Sequence, residues 1–207
     1  MHKKKPYTLE SFVLKTTNTD QTSTSRRRAI KRIIAGSAVI TAGQFLPMNQ
    51  SWGKTFLSLE QAQAILLPEE TLHARTIDLS DAQRKQIAKE SKVRVRDNSL
   101  RAWVSDKGNW FIVDQILGKH ENIDMAVAIN HEGGVIGLEV LTYRESYGHE
   151  IRHPKWRAQF HGKTSSKRLK LDRDIKNISG ATLSCAHVTD GVNRLLKTWE
   201  LVLSQAA

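Results

Sequence analysis

Two rhythms of apolar and polar positions divide the second half of this chain. From Val93 to Tyr143 apolar residues come in short β-prone runs broken by turn residues. Ser99–Leu117 holds two runs around Asp106-Lys107-Gly108, and Ile123–Tyr143 holds two more around His131-Glu132-Gly133-Gly134. Glycine-containing breaks of that length predict two β-hairpins. Further on the period becomes helical: Val188, Val192, Leu195, Leu196, Trp199 and Val202 or Leu203 fall on one stripe. Upstream, Ser58 as N-cap opens a short helix stopped by Pro68, and Ser80 with Gln83 has capping-box spacing for a polar helix to about Glu90. Antiparallel strands need one face covered, and the last helix supplies that cover. The pattern predicts an α+β fold: an antiparallel sheet of about four strands, packed with flanking helices and closed by a C-terminal amphipathic helix.

Tyr143–Gly180 follows neither rhythm. It is long and polar, with Pro154–Phe160 as a short helix. Long connections inside compact domains are functional or disordered, and Tyr147, Trp156 and Phe160 argue against disorder.

Charge changes the picture less than its total suggests. The 207 residues carry a net +11, but +7 of it lies in residues 1–50, where nine Lys/Arg face only Glu10 and Asp20. The rest is mildly basic with both signs interspersed, so nucleic acid is not expected as a partner. Residues 1–24 form a polar leader. Residues 25–52 begin with Ser25-Arg26-Arg27-Arg28-Ala29-Ile30-Lys31 and continue into an uncharged apolar run, Ile33–Leu46. That is the layout of a twin-arginine export signal, too short for a full membrane span. It predicts delivery by the twin-arginine translocase to the periplasm or the outer face of the cytoplasmic membrane. No Ala-x-Ala site decides between cleavage and retention as an anchor. Residues 53–207 are left as a single domain.

Candidate chemistry concentrates where the last helix opens. Ser179-Gly180-Ala181-Thr182-Leu183-Ser184 exposes free N–H groups and the positive helix end to an anion, and its hydroxyls add donors. The plainer reading is that Thr182 or Ser184 caps the helix. His149, His153, His161 and His187 lack ligand spacing and read as surface residues, with no metal site. Cys185 is the single cysteine, either a thiol activated near a helix start or a buried inert one.

The same six residues resemble the motif of the FMN-binding domain family, which includes flavoprotein subunits of ion-pumping and ferredoxin-linked respiratory reductases and stand-alone exported members. Glu145, Ser146 and Gly148, followed by Gln159, Phe160, Gly162 and Lys163, are similar to the family's Glu-Thr-x-Gly and Gln-Phe-x-Gly-Lys segments. The resemblance runs from about Asn122 to Leu203. It implies FMN, with its phosphate at Thr182 among Ser179, Gly180, Ala181, Leu183 and Ser184, and with Lys163 offsetting phosphate charge. Tyr147, Trp156 and Phe160 become candidate ring walls, Gly148 lets backbone lie against the ring edge, and Glu145 accepts from a backbone or ribityl group. In relatives the threonine carries FMN through a phosphoester placed by a flavin transferase. Their pattern has an acid three places before the serine; here that place is Lys176, and Asp174 lies two places further back. Bound and esterified FMN both stay open. The expected function is an exported one-electron carrier between membrane or envelope redox proteins. The alternatives are a flavin-free binding module of the same fold and a cysteine enzyme using Cys185 with His187 or another histidine.

Overall fold

The computed structural model describes residues 54–206. The export-signal reading of residues 25–52 and the polar leader lie outside the described residues.

Among the described residues six strands form one antiparallel sheet: β1 Lys54–Thr55, β2 Leu72–Asp78, β3 Ser99–Ser105, β4 Trp110–Leu117, β5 Asn122–Ile129 and β6 Val135–Tyr143, in the order β1-β6-β5-β4-β3-β2. The four strands of the two expected hairpins are its centre. Two edge strands, the two-residue β1 and the seven-residue β2, go beyond the expectation of about four. β2 reads Leu-His-Ala-Arg-Thr-Ile-Asp and is mostly exposed on both faces. Its place comes from full pairing with β3, Leu72 opposite Ser105 through Asp78 opposite Ser99. An edge strand held by its ladder needs no apolar pattern of its own.

Helices cover both faces. α1 Leu59–Leu66 and α2 Asp81–Ser91 each start from a reciprocal capping box, Ser58 with Gln61 and Ser80 with Gln83. Two orphan donors are satisfied at each helix start. α1 buries Ala62 and Leu66 with Phe111, Ala126, Ala128 and Leu141 on one face. Beyond the short helix α3 Pro154–Arg157, α4 Thr182–Leu201 lies on the other face and sinks Val188, Val192, Leu195 and Leu196 into the main core. The predicted stripe is therefore the buried face. Gly191 allows the close approach, since a Cβ there would meet Met125 Cε at 2.6 Å and Ile116 Cγ2 at 2.8 Å.

The sheet splits at one point. β3 pairs β4 only from Arg101–Val104, while β4 continues beside β5 to Leu117. A cavity of about 640 Å³ opens there, lined among others by Leu100, Arg101, Asp114, Arg194 and Leu195. Within it Arg194 pairs with Asp114, each side chain 10% exposed, and donates to the Arg94 carbonyl at 3.2 Å. Among the described residues no helix is long and apolar enough to cross a membrane.

Candidate functional site

α4 opens without a side-chain cap. Ala181 holds the N-cap position and makes no side-chain hydrogen bond, so the first-turn N–H groups keep their capacity for an anion. The two hydroxyls expected as caps are engaged elsewhere. Thr182 Oγ1 accepts from Asn177 Nδ2 at 2.9 Å, and Ser184 Oγ lies 2.8 Å from the Tyr143 hydroxyl. Ser179, Gly180, Thr182 and Leu183 are exposed. Gly180 has φ +86° with no atom within 4 Å of where a Cβ would stand, so backbone conformation, not crowding, calls for glycine.

The Glu145–Gly148 stretch is fastened to this helix start. Tyr143, the last residue of β6, gives its hydroxyl proton to the Tyr147 carbonyl. The Ser184 hydroxyl must then donate to the Tyr143 oxygen. Gly148 fits against both: its φ is +90°, and a Cβ would lie 2.6 Å from Ser184 Oγ and 2.6 Å from the Tyr143 hydroxyl. Gly148→Ala is expected to lower folding stability by about 2 kcal/mol through left-handed strain and a displaced clasp. Urea unfolding checks this, and an unchanged midpoint would show that the loop moves away freely.

Glu145 supports the loop from its other end, accepting from the N–H groups of His120 at 2.6 Å and Glu121 at 3.0 Å. Burial opposes its ionisation, but those donors and the Lys119 N–H outweigh it and hold the carboxyl below its usual range. Tyr147 in the held loop is 84% exposed, and Leu183 in the first turn of α4 is 50% exposed. Ser146 is exposed beside it. An open surface results, with an aromatic ring, an aliphatic side chain, hydroxyls and an uncapped helix start.

Several residues of the sequence reading lie elsewhere. Phe160 is fully buried and Trp156 nearly so, their rings 5.3 Å apart at 73°, and neither offers an exposed wall. Their work is structural. Trp156 Nε1 donates to the Lys176 carbonyl at 2.7 Å, and Gln159 Oε1 accepts from the Lys176 N–H at 2.7 Å, tying the approach to Ser179 onto the Pro154–Phe160 helix. Lys163 sits at the opposite end of β6, its carbonyl accepting from the Val135 N–H. The nine-residue strand between Val135 and Tyr143 spans about 26 Å. No lysine side chain bridges that gap, so Lys163 does not offset charge at Thr182. Asp174 is no substitute for the missing acid at Lys176. Its carboxylate accepts from Lys167 Nζ, the Lys170 N–H and Arg173, which hold it far below the ordinary range.

Cys185 is fully buried, and burial pushes its thiol up rather than down. An inert core thiol replaces the nucleophile of the cysteine-enzyme alternative. Among the described residues no group of three His, Cys, Asp or Glu side chains is placed to hold a metal ion. Sequence reasoning missed Tyr143 and Asn177. A tyrosine ending a strand reads as core, and an asparagine five residues before Thr182 reads as turn.

One comparison bears directly on this surface. Residues 118–197 match the family model of the FMN-binding domain. The matched stretch contains β5, β6, the Glu145–Gly148 loop and the start of α4, so this surface lies within a segment similar to an FMN-binding domain. No curated protein matches the chain.

Proposed function

We propose that residues 53–207 form a single domain that binds FMN at the opening of α4 and carries electrons outside the cytoplasm. The uncapped helix start carries the reading. It leaves phosphate-binding N–H groups beside an exposed Thr182, and it lies inside the segment matching the FMN-binding domain. The residues present suit the cofactor. Leu183 and Tyr147 offer the apolar and aromatic surface that a planar ring needs. The clasp of Tyr143, Ser184 and Gly148 keeps Tyr147 beside the phosphate position, so the surface is organised before the ligand arrives. FMN, when bound, supplies the redox chemistry, taking up and releasing electrons singly or in pairs.

Thr182 serves as the phosphate holder and as the site of a phosphoester. Asn177 donates to Thr182 Oγ1 and fixes the side chain toward solvent, so that Oγ1 can exchange its proton for the flavin phosphoryl group of an activated flavin nucleotide brought by the transferase, the rest of that nucleotide being the leaving group. The flavin transferase and the membrane or envelope redox proteins are the partners this reading requires. Export by the twin-arginine translocase, with the signal cleaved or kept as an anchor, belongs to the same reading.

Intact mass and visible absorption test it. Protein from an exporting host that has a flavin transferase should be yellow and heavier by one FMN moiety. Thr182→Ala should lose the added mass entirely and bind free FMN about tenfold more weakly, the worth of one charge-assisted hydrogen bond. Wild-type protein that stays colourless with excess FMN would overturn the proposal. A folded protein with an FMN-independent thermal midpoint would favour the flavin-free module instead.

A further inference from the structure

The excess positive charge of the described domain is confined to one segment. Residues 149–176 hold nine Lys/Arg against Glu150, Asp172 and Asp174, a net of +6, while the other described residues together carry −2. Some of these charges are matched: Arg157 pairs with Glu139, Arg168 with Asp190, and Lys167 and Arg173 share Asp174. Lys155, Lys170 and Lys176 are exposed and have no carboxylate in ion-pair range among the described residues. Two of them are linked to the helix opening through their neighbours in the chain. Lys176 precedes Asn177, which holds Thr182, and Lys155 precedes Trp156, whose indole holds the Lys176 carbonyl. Tyr147 and Leu183 are exposed large hydrophobic side chains on the loop and the helix start that the Tyr143 hydroxyl joins.

We infer that this face, an apolar centre bordered by Lys155 and Lys176, is the docking surface for the acidic face of a redox protein. The inference rests on the FMN reading for its purpose, since it places the partner over the cofactor opening. An apolar centre with a charged rim is the anatomy of a small transient interface. Charge complementarity there sets encounter rate and orientation more than affinity. The segment stays positive after a bound flavin phosphate is counted, because two negative charges remove only part of +6. A lipid surface fits less well, since a membrane lying over Tyr147 and Leu183 would shut the opening away from any soluble partner.

The test uses cytochrome c in two forms as the probe, native and basic, or succinylated on its lysines and therefore acidic. Binding to the full chain is read by sedimentation at the haem absorption, which needs no flavin, and by quenching of flavin emission in the loaded protein. The succinylated form should bind and quench at low salt and weaken steeply toward physiological ionic strength; the native form should do neither. Lys155→Glu with Lys176→Glu should weaken binding about tenfold, the worth of two exposed ion pairs. Arg75→Glu with Lys85→Glu makes the same change of net charge at exposed sites on β2 and α2 and should change binding less than about twofold.

Equal losses in the two double variants would overturn the inference, because net charge alone would then govern binding. It would also fall if phosphatidylglycerol vesicles captured the protein through Lys155 and Lys176 while the acidic cytochrome did not bind. If the protein takes up no FMN and the selective loss persists, docking stands and the flavin reading fails. If it is yellow and the Lys155 and Lys176 reversals change nothing, the reverse holds.

Discussion

Phe160→Ala is expected to destabilise the fold by about 4 kcal/mol while leaving FMN uptake by the folded fraction unchanged. The ring is fully buried in the main core and packs edge-on against Trp156, so truncation removes its transfer free energy and leaves a cavity. The motif resemblance alone would give a different result, with Phe160 as a flavin contact and a loss of affinity at constant stability. Urea unfolding combined with FMN titration, at a temperature where the variant is folded, separates the two. A weakened flavin site at unchanged stability would return Phe160 to the cofactor. Some loosening of the Ser179 approach is carried instead by Trp156 and Gln159, which hold Lys176 directly.

The second large effect lies at the split in the sheet. Arg194→Met should cost about 3–5 kcal/mol, because it leaves Asp114 buried without its counter-charge. Burial already raises the Asp114 carboxyl above its ordinary range, with Arg194 pulling the other way; removing Arg194 raises it further. A raised folded-state value means that the folded protein binds the proton more tightly. That stability is present below the unfolded carboxylate range and is lost as pH rises through the folded value. The variant's deficit should therefore shrink on acidification from neutral pH toward about pH 5. Asp114→Asn combined with Arg194→Met should recover a large part of the loss, since no charge is then left buried. Unfolding curves at both pH values check this. A deficit independent of pH, or a double variant as unstable as the single, would show that Arg194 matters for packing or for its bond to the Arg94 carbonyl instead.

The elements with strong periodicity are legible in the sequence. The central hairpins, both capping-box helices and the buried stripe of α4 follow from local spacing, because a helix or hairpin with one apolar face carries its own instruction. β2 was not legible, as its conformation comes from hydrogen bonds to β3 and its side chains show little preference between faces. The candidate site divides the same way. Ser179–Ser184 is recognisable as a helix start with hydroxyls, since these residues are contiguous in the chain, whereas the absence of a side-chain cap is not, because Thr182 and Ser184 bond to residues outside the helix start. The Glu-Thr-x-Gly-like and Gln-Phe-x-Gly-Lys-like segments mark a second unit by resemblance without saying what each residue touches.

What each residue touches was decided by tertiary structure. Lys163 and Thr182 are separated by the length of β6, which no spacing rule reports, whereas Tyr143 and Ser184 meet although 41 residues apart. Phe160 and Cys185 went to the core because α4 and the Pro154–Phe160 helix close over the sheet at those positions. The amino-acid order by itself determined the elements, the apolar face of each and the chemical character of the helix opening, all properties of neighbours along the chain. Only the packing of sheet, loop and helix decided which side chains surround that opening. The free energy that places them comes from burial and from hydrogen bonds between residues distant in the chain.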